Sequence, residues 1–108
     1  MRKKKIKLFS KAREAEQIRE RSNPLYHTYK WRKTSKAFLS RTENQFCVQC
    51  KKNHVLTAAT TTDHIIPLEI CNDPYDENNF QPLCTRCNRI KGASDKKMIH
   101  KYKSNHHE

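Results

Sequence analysis

Glycine is the residue this chain most lacks, with one among 108. A glycine-rich phosphate loop or a dinucleotide fingerprint needs several, so neither is encoded. Apolar residues are scarce too, at 34%, below what a self-sufficient core of this length usually carries. No apolar run approaches the roughly 20 residues of a membrane helix; the best stretch, 65–71, contains Pro67 and Glu69. Negative charge is also short: 11 Asp+Glu face 23 Lys+Arg, a net of +12. The opening residues are basic, but the apolar segment of a secretory signal does not follow them. These absences predict a small, soluble, basic protein of the cytoplasm, one domain at most, with no membrane partner.

Cysteine is what the chain has instead. Five are present, so complete internal pairing is impossible. Four form two C-x-x-C pairs, Cys47/Cys50 and Cys84/Cys87. Each pair places two thiolates on one tight turn, and two such turns complete a tetrahedral sulfur set for a structural Zn²⁺. A chain this small and polar needs such a staple. Lys51, Lys52, Arg86 and Arg89 flank the pairs and offset the thiolate charge. Cys71 is left over as a free thiol.

The charge is uneven. Residues 1–41 hold 14 Lys+Arg against 3 Asp+Glu, whereas 42–108 hold 9 against 8. A basic arm attached to a nearly neutral working module is the pattern of a nucleic-acid binder; a solvated tail that aids solubility is the plainer alternative. The arm interleaves Tyr26, Tyr29, Trp31 and Phe38 with its charges, including Lys30, Arg32 and Lys33, which supports DNA contact.

Apolar residues at every third position predict a helix over 10–21, broken by Ser22-Asn23-Pro24. Thr28 is placed to cap a second helix, 29–41, whose Trp31, Phe38 and Leu39 share a face and are expected to lie as a lid over the module. Residues 55–66 read as extended β-structure, 67–79 as a loop, and 79–84 as a returning strand. A short helix over 85–91 is expected to stop at Gly92, with Ser94 capping a last helix through about 103. The expected organisation is therefore a basic arm (1–24), a module (25–103) with its ββα core at about 55–92, and a polar tail (104–108).

Between the cysteine pairs stands Asp63-His64-Ile65-Ile66-Pro67, and before the second pair Asn79-Phe80-Gln81-Pro82-Leu83. The second pair opens a helix with Cys87-Asn88-Arg89-Ile90-Lys91-Gly92. A strand carrying Asp-His, a returning strand and a helix presenting a polar ligand make a ββα unit. Adjacent strand residues face opposite sides, so Asp63 and His64 converge on one phosphate only if the strand ends or twists there.

Together with Trp31-Arg-Lys and Phe38-Leu, these segments resemble the HNH endonucleases, in their zinc-stapled, phage-type branch. The resemblance runs from about Tyr26 to Gly92. It implies an α+β fold, a small ββα-metal module, that hydrolyses DNA phosphodiesters with one divalent cation. It further implies His64 as general base, Asp63 as metal ligand, and Asn79 as the residue holding the catalytic loop. Most relatives carry His after the last cysteine as second metal ligand; Asn88 stands there, making the motif H-N-N. Asp63 and the Asn88 carbonyl are hard oxygen donors suited to Mg²⁺ or Mn²⁺. Arg86, Arg89 and Lys91 are expected to clamp phosphates. Phage-type relatives imply an accessory role beside terminase in genome packaging, and the chain is expected to act as a monomer. The alternative is a non-catalytic zinc-ribbon protein that binds DNA or serves a DNA machine.

Overall fold

The computed structural model describes residues 23–106. The chain divides into two compact units, residues 1–32 and 33–108. The helix expected over 10–21 lies outside the described residues.

In the first unit, Asn23 accepts a hydrogen bond from the Leu25 amide through Oδ1 at 2.9 Å, opening a 3₁₀ turn, Pro24–His27, with proline in its first turn. Thr28 then caps α1, Tyr29–Ser40: its Oγ1 accepts from the Trp31 amide at 3.2 Å. This satisfies one of the amides a helix start leaves unpaired, as the threonine's position predicts. Tyr26 meets Trp31 edge to face at 5.5 Å.

The second unit begins within α1. Phe38 is buried and packs edge to face on Phe80, 5.5 Å between centroids, and Ser35 Oγ donates to Thr62 Oγ1 at 2.7 Å. Arg41 grips Glu77 through its two terminal guanidinium nitrogens, Nη1 and Nη2, at 3.1 and 2.7 Å. Past a 3₁₀ turn, Thr42–Asn44, Phe46 bridges to Ala58, and the Cys47 amide donates to Thr57 O. Helix α2, Val48–Lys52, turns back through His54, whose φ of 63° is left-handed.

β1, Thr61–His64, pairs antiparallel with β2, Phe80–Leu83. Asp63 lies opposite Gln81, and His64 opposite Phe80. A two-stranded ribbon is marginal by itself. Here both faces are covered, because side chains alternate across it. Thr62, His64 and Phe80 face the second half of α1. Asp63, Gln81 and Leu83 face α2 and the long closing helix α3, Thr85–Asn105. Among the described residues, Cys47, Leu83 and Cys84 form a buried cluster, with Val48, Cys50 and Cys87 packed on it.

Two expectations of length are corrected. The first strand spans four residues rather than 55–66, because Val55 and Leu56 are exposed on the return from α2. The helix does not stop at Gly92. Its φ is not positive, so no left-handed C-cap forms, and Lys91 pairs with Asp95 across the supposed break at 2.8 Å. Residues 85–105 are one helix.

Candidate active site and metal centre

The four cysteines converge as their spacing predicts. Cys47 and Cys84 occupy the N-cap positions of α2 and α3, so Cys50 and Cys87 follow in the first turns. All four sulfurs lie within 4.8 Å of one another. Cys50 Sγ is 3.8 Å from Cys84 Sγ and 3.7 Å from Cys87 Sγ. A Zn–S bond of about 2.3 Å in a tetrahedron puts the sulfurs about 3.8 Å apart. The donor set therefore fits a zinc-type ion in chemistry and in size.

Proton affinities in the cluster are split widely. Burial raises the Cys47 thiol, but hydrogen bonds from the Cys50 and Cys84 backbones and the neighbouring thiols outweigh it and bring the pKa to about 6. Cys87, sharing its proton first with Cys84, is pushed up to about 12. Four sulfurs held this close can shed their protons together only against positive charge. Cys71 lies apart, donating to Leu68 O at 3.5 Å.

On β1, Asp63 and His64 point to opposite faces, as strand alternation requires. His64 is only 1% exposed. Its Nε2 lies 2.8 Å from Pro74 O. A carbonyl only accepts, so Nε2 carries the proton and the lone pair of the neutral ring is on Nδ1. Phe80 meets the ring edge to face at 5.3 Å, which fixes its plane. An imidazole in this tautomer can take a proton at Nδ1.

Asn79 ends the 3₁₀ turn Glu77–Asn79, and its side chain clasps the backbone of Ile66. Oδ1 accepts from Ile66 N at 2.8 Å and Nδ2 donates to Ile66 O at 3.0 Å. Its own carbonyl accepts from Ile65 N at 2.8 Å. The segment leaving His64 is thus held at three points by one residue.

Asp63 is 9% exposed. Gln81 Nε2 and Lys91 Nζ both reach its Oδ2, at 2.9 and 3.0 Å. Burial pushes the carboxyl above its ordinary value, and those two donors only partly oppose it. Lys91, expected from its sequence position to clamp phosphate, is placed here against the protein's own oxygens. Its ammonium turns inward and also donates to His64 O at 2.8 Å and to both oxygens of Asp95 at 2.8 Å. Two carboxylates and a carbonyl converging on one cation make a hard oxygen cage, the donor chemistry that also suits Mg²⁺ or Mn²⁺. Asn88, half-buried, lies one turn before Lys91 on the same face of α3.

Arg86 and Arg89 are exposed on the first turns of α3, and Lys30, Arg32 and Lys33 are exposed along α1. An open groove of about 760 Å³ borders Arg86, Gln81, Lys91 and Ser94. Gln81 and Asp95 escaped the sequence reading. Gln81 is found only through cross-strand register. Asp95 was signalled by its spacing of four from Lys91, a cue masked by the expected helix stop at Gly92.

The family model of the HNH endonucleases matches residues 47–94. No curated protein matches the sequence significantly. Among solved structures, the chain is similar to the HNH endonuclease of the deep-sea thermophilic bacteriophage GVE2, crystallised with manganese ion. The two are 33% identical with a TM-score of 0.60, over 85% of this chain and 96% of that one. The agreement of ribbon, helix and cysteine cluster with both comparisons establishes that the chain belongs to the HNH endonuclease family.

Proposed function

We propose that the chain is a divalent-metal-dependent endonuclease that hydrolyses DNA phosphodiester bonds, with His64 as general base. The observation that carries this reading is the Nε2–Pro74 O hydrogen bond, which places the ring's lone pair on Nδ1. His64 takes a proton from the attacking water at Nδ1, while Asn79 keeps the following segment fixed through Ile66. Asp63 and Asn88 would hold Mg²⁺ or Mn²⁺, which when bound would polarise the phosphate and stabilise the leaving oxygen. The manganese of the phage neighbour supports this choice of metal. Cys47, Cys50, Cys84 and Cys87 hold a structural zinc. Arg86 and Arg89, with Lys30, Arg32 and Lys33 on α1, contact DNA phosphates.

His64 is buried and faces the side of the ribbon opposite Asp63, so productive binding includes a local opening and twist at the end of β1 that turns both toward one phosphate. Reduced thiols in a C-x-x-C pair of knuckles suit a reducing cytoplasm. Service beside a phage terminase, with the chain acting as a monomer, is the further part of this proposal and rests on the resemblance to phage-type relatives alone.

Incubating the zinc-loaded protein with supercoiled plasmid tests the activity. Nicking is expected with Mg²⁺ or Mn²⁺ and is abolished by EDTA. A second reading draws on the burial of His64 and the ammonium beside Asp63: a non-catalytic zinc module that binds DNA. Salt-dependent DNA binding without nicking under any divalent metal selects it.

A further inference from the structure

The Lys91 ammonium is oversubscribed. It has three N–H donors, yet four oxygens stand within 3.0 Å: Asp63 Oδ2, His64 O and both oxygens of Asp95. Two carboxylates face one ammonium, leaving a net negative charge in a half-buried position. Asp95 takes the ammonium with both oxygens, whereas Asp63 offers it only Oδ2, which Gln81 also engages. Asp63 is therefore the weaker of the two holders. Lys91 and Gln81, the two donors on Asp63 Oδ2, both border the open groove.

We propose that Asp95 is a positioning residue that works through Lys91. It retains the ammonium when a divalent cation binds Asp63, so metal entry is coupled to withdrawal of Lys91 from Asp63. This inference rests on the reading of Asp63 as a metal ligand. Two cations cannot share the Asp63 carboxylate at these distances without strong repulsion. The ammonium needs a second anion within its swing, and Asp95 lies one turn further along α3. A chain without Asp95 would leave the lysine committed to Asp63, in competition with the metal.

Binding of Mn²⁺ alone to the zinc-loaded full chain, followed by calorimetry and by loss of the free Mn²⁺ spin signal, tests this. Asp95→Asn is expected to weaken Mn²⁺ binding about tenfold. Lys91→Gln is expected to bind Mn²⁺ at least as tightly as the native chain. In the Lys91→Gln background, adding Asp95→Asn is expected to change affinity by less than about threefold, because the competitor is gone. Zinc content and circular dichroism verify that each variant is folded, and Lys91→Met serves where Lys91→Gln does not fold. An equal loss from Asp95→Asn in both backgrounds would make Asp95 a direct ligand and overturn the coupling. So would unchanged affinity in Asp95→Asn. If Asp63→Asn leaves Mn²⁺ binding untouched in every background, the metal-ligand reading itself falls, and the proposal with it. Mn²⁺ binding and coupling without plasmid nicking would defeat the nuclease reading and leave this one standing.

Discussion

Asp63 sits between two opposing demands. Its burial favours the protonated acid, while Gln81, Lys91 and a metal ion favour the carboxylate. Because the folded pKa lies above the unfolded one, the folded chain binds more protons across the interval between them. Stability from this group is present at low pH and is lost as pH rises through that interval. At neutral pH its ionisation is a cost to the fold, tolerated at a site that needs the charge. Asp63→Asn is therefore expected to raise the melting temperature in metal-free buffer at neutral pH, to remove the loss of stability as pH rises above the ordinary carboxylate range, and to abolish Mn²⁺ binding. Thermal melts across pH, paired with calorimetry, check all three. Melting unchanged with pH in the native chain would contradict the account. At this scale much was legible in the sequence. Asp-His, Asn79 and the cysteines stand in motifs whose chemistry is local. The inward turn of Lys91 was not legible, because a lysine on a helix gives no sign of which way it turns until the strand carrying Asp63 is placed beside it.

At the scale of elements, the helix that carries Asn88, Lys91 and Asp95 is the part the sequence divided wrongly. A glycine after a run of helical residues, followed by serine, reads as a C-cap and a fresh N-cap. The Lys91–Asp95 pair spans that point instead, and a Cβ at Gly92 would meet nothing within 4 Å. Gly92 therefore carries the backbone-entropy penalty of a mid-helix glycine without using its freedom. Gly92→Ala is expected to stabilise the protein by about 0.5–1 kcal/mol, measured by urea unfolding. Destabilisation by this change would show that the helix is interrupted there after all. Strand limits were less legible for a related reason. Val55 and Leu56 have β propensity, but the chain spends them on the turn leaving α2, where the left-handed His54 sets its direction.

For the molecule as a whole, the cysteine cluster replaces the apolar core that composition denies it. Among the described residues of the second unit, the buried rings Phe38 and Phe80 stand outside the cluster that Cys47, Leu83 and Cys84 form. Without a bound ion, sulfurs 3.7–3.8 Å apart would compete for protons at the junction of α2, β2 and α3. Stripping zinc with a strong chelator, or Cys84→Ser, is expected to unfold the ribbon and lose most far-ultraviolet dichroism, with recovery on adding Zn²⁺ to the native chain. Retention of a cooperative melt after complete zinc removal would contradict this. The staple was the most legible feature of the fold, because two C-x-x-C turns fix ligand geometry over a few residues. The two-sided cover of the ribbon was not, since it depends on register.

The central claim is that His64 Nδ1 removes the proton from the attacking water. Single-turnover cleavage of plasmid by the native chain and by His64→Ala, at saturating Mn²⁺ and matched DNA occupancy, tests it most directly. The account predicts a loss of about 10²- to 10⁴-fold in the chemical step, with zinc content and DNA affinity retained. Equal cleavage rates in the two proteins would contradict it and leave His64 as a buried structural residue.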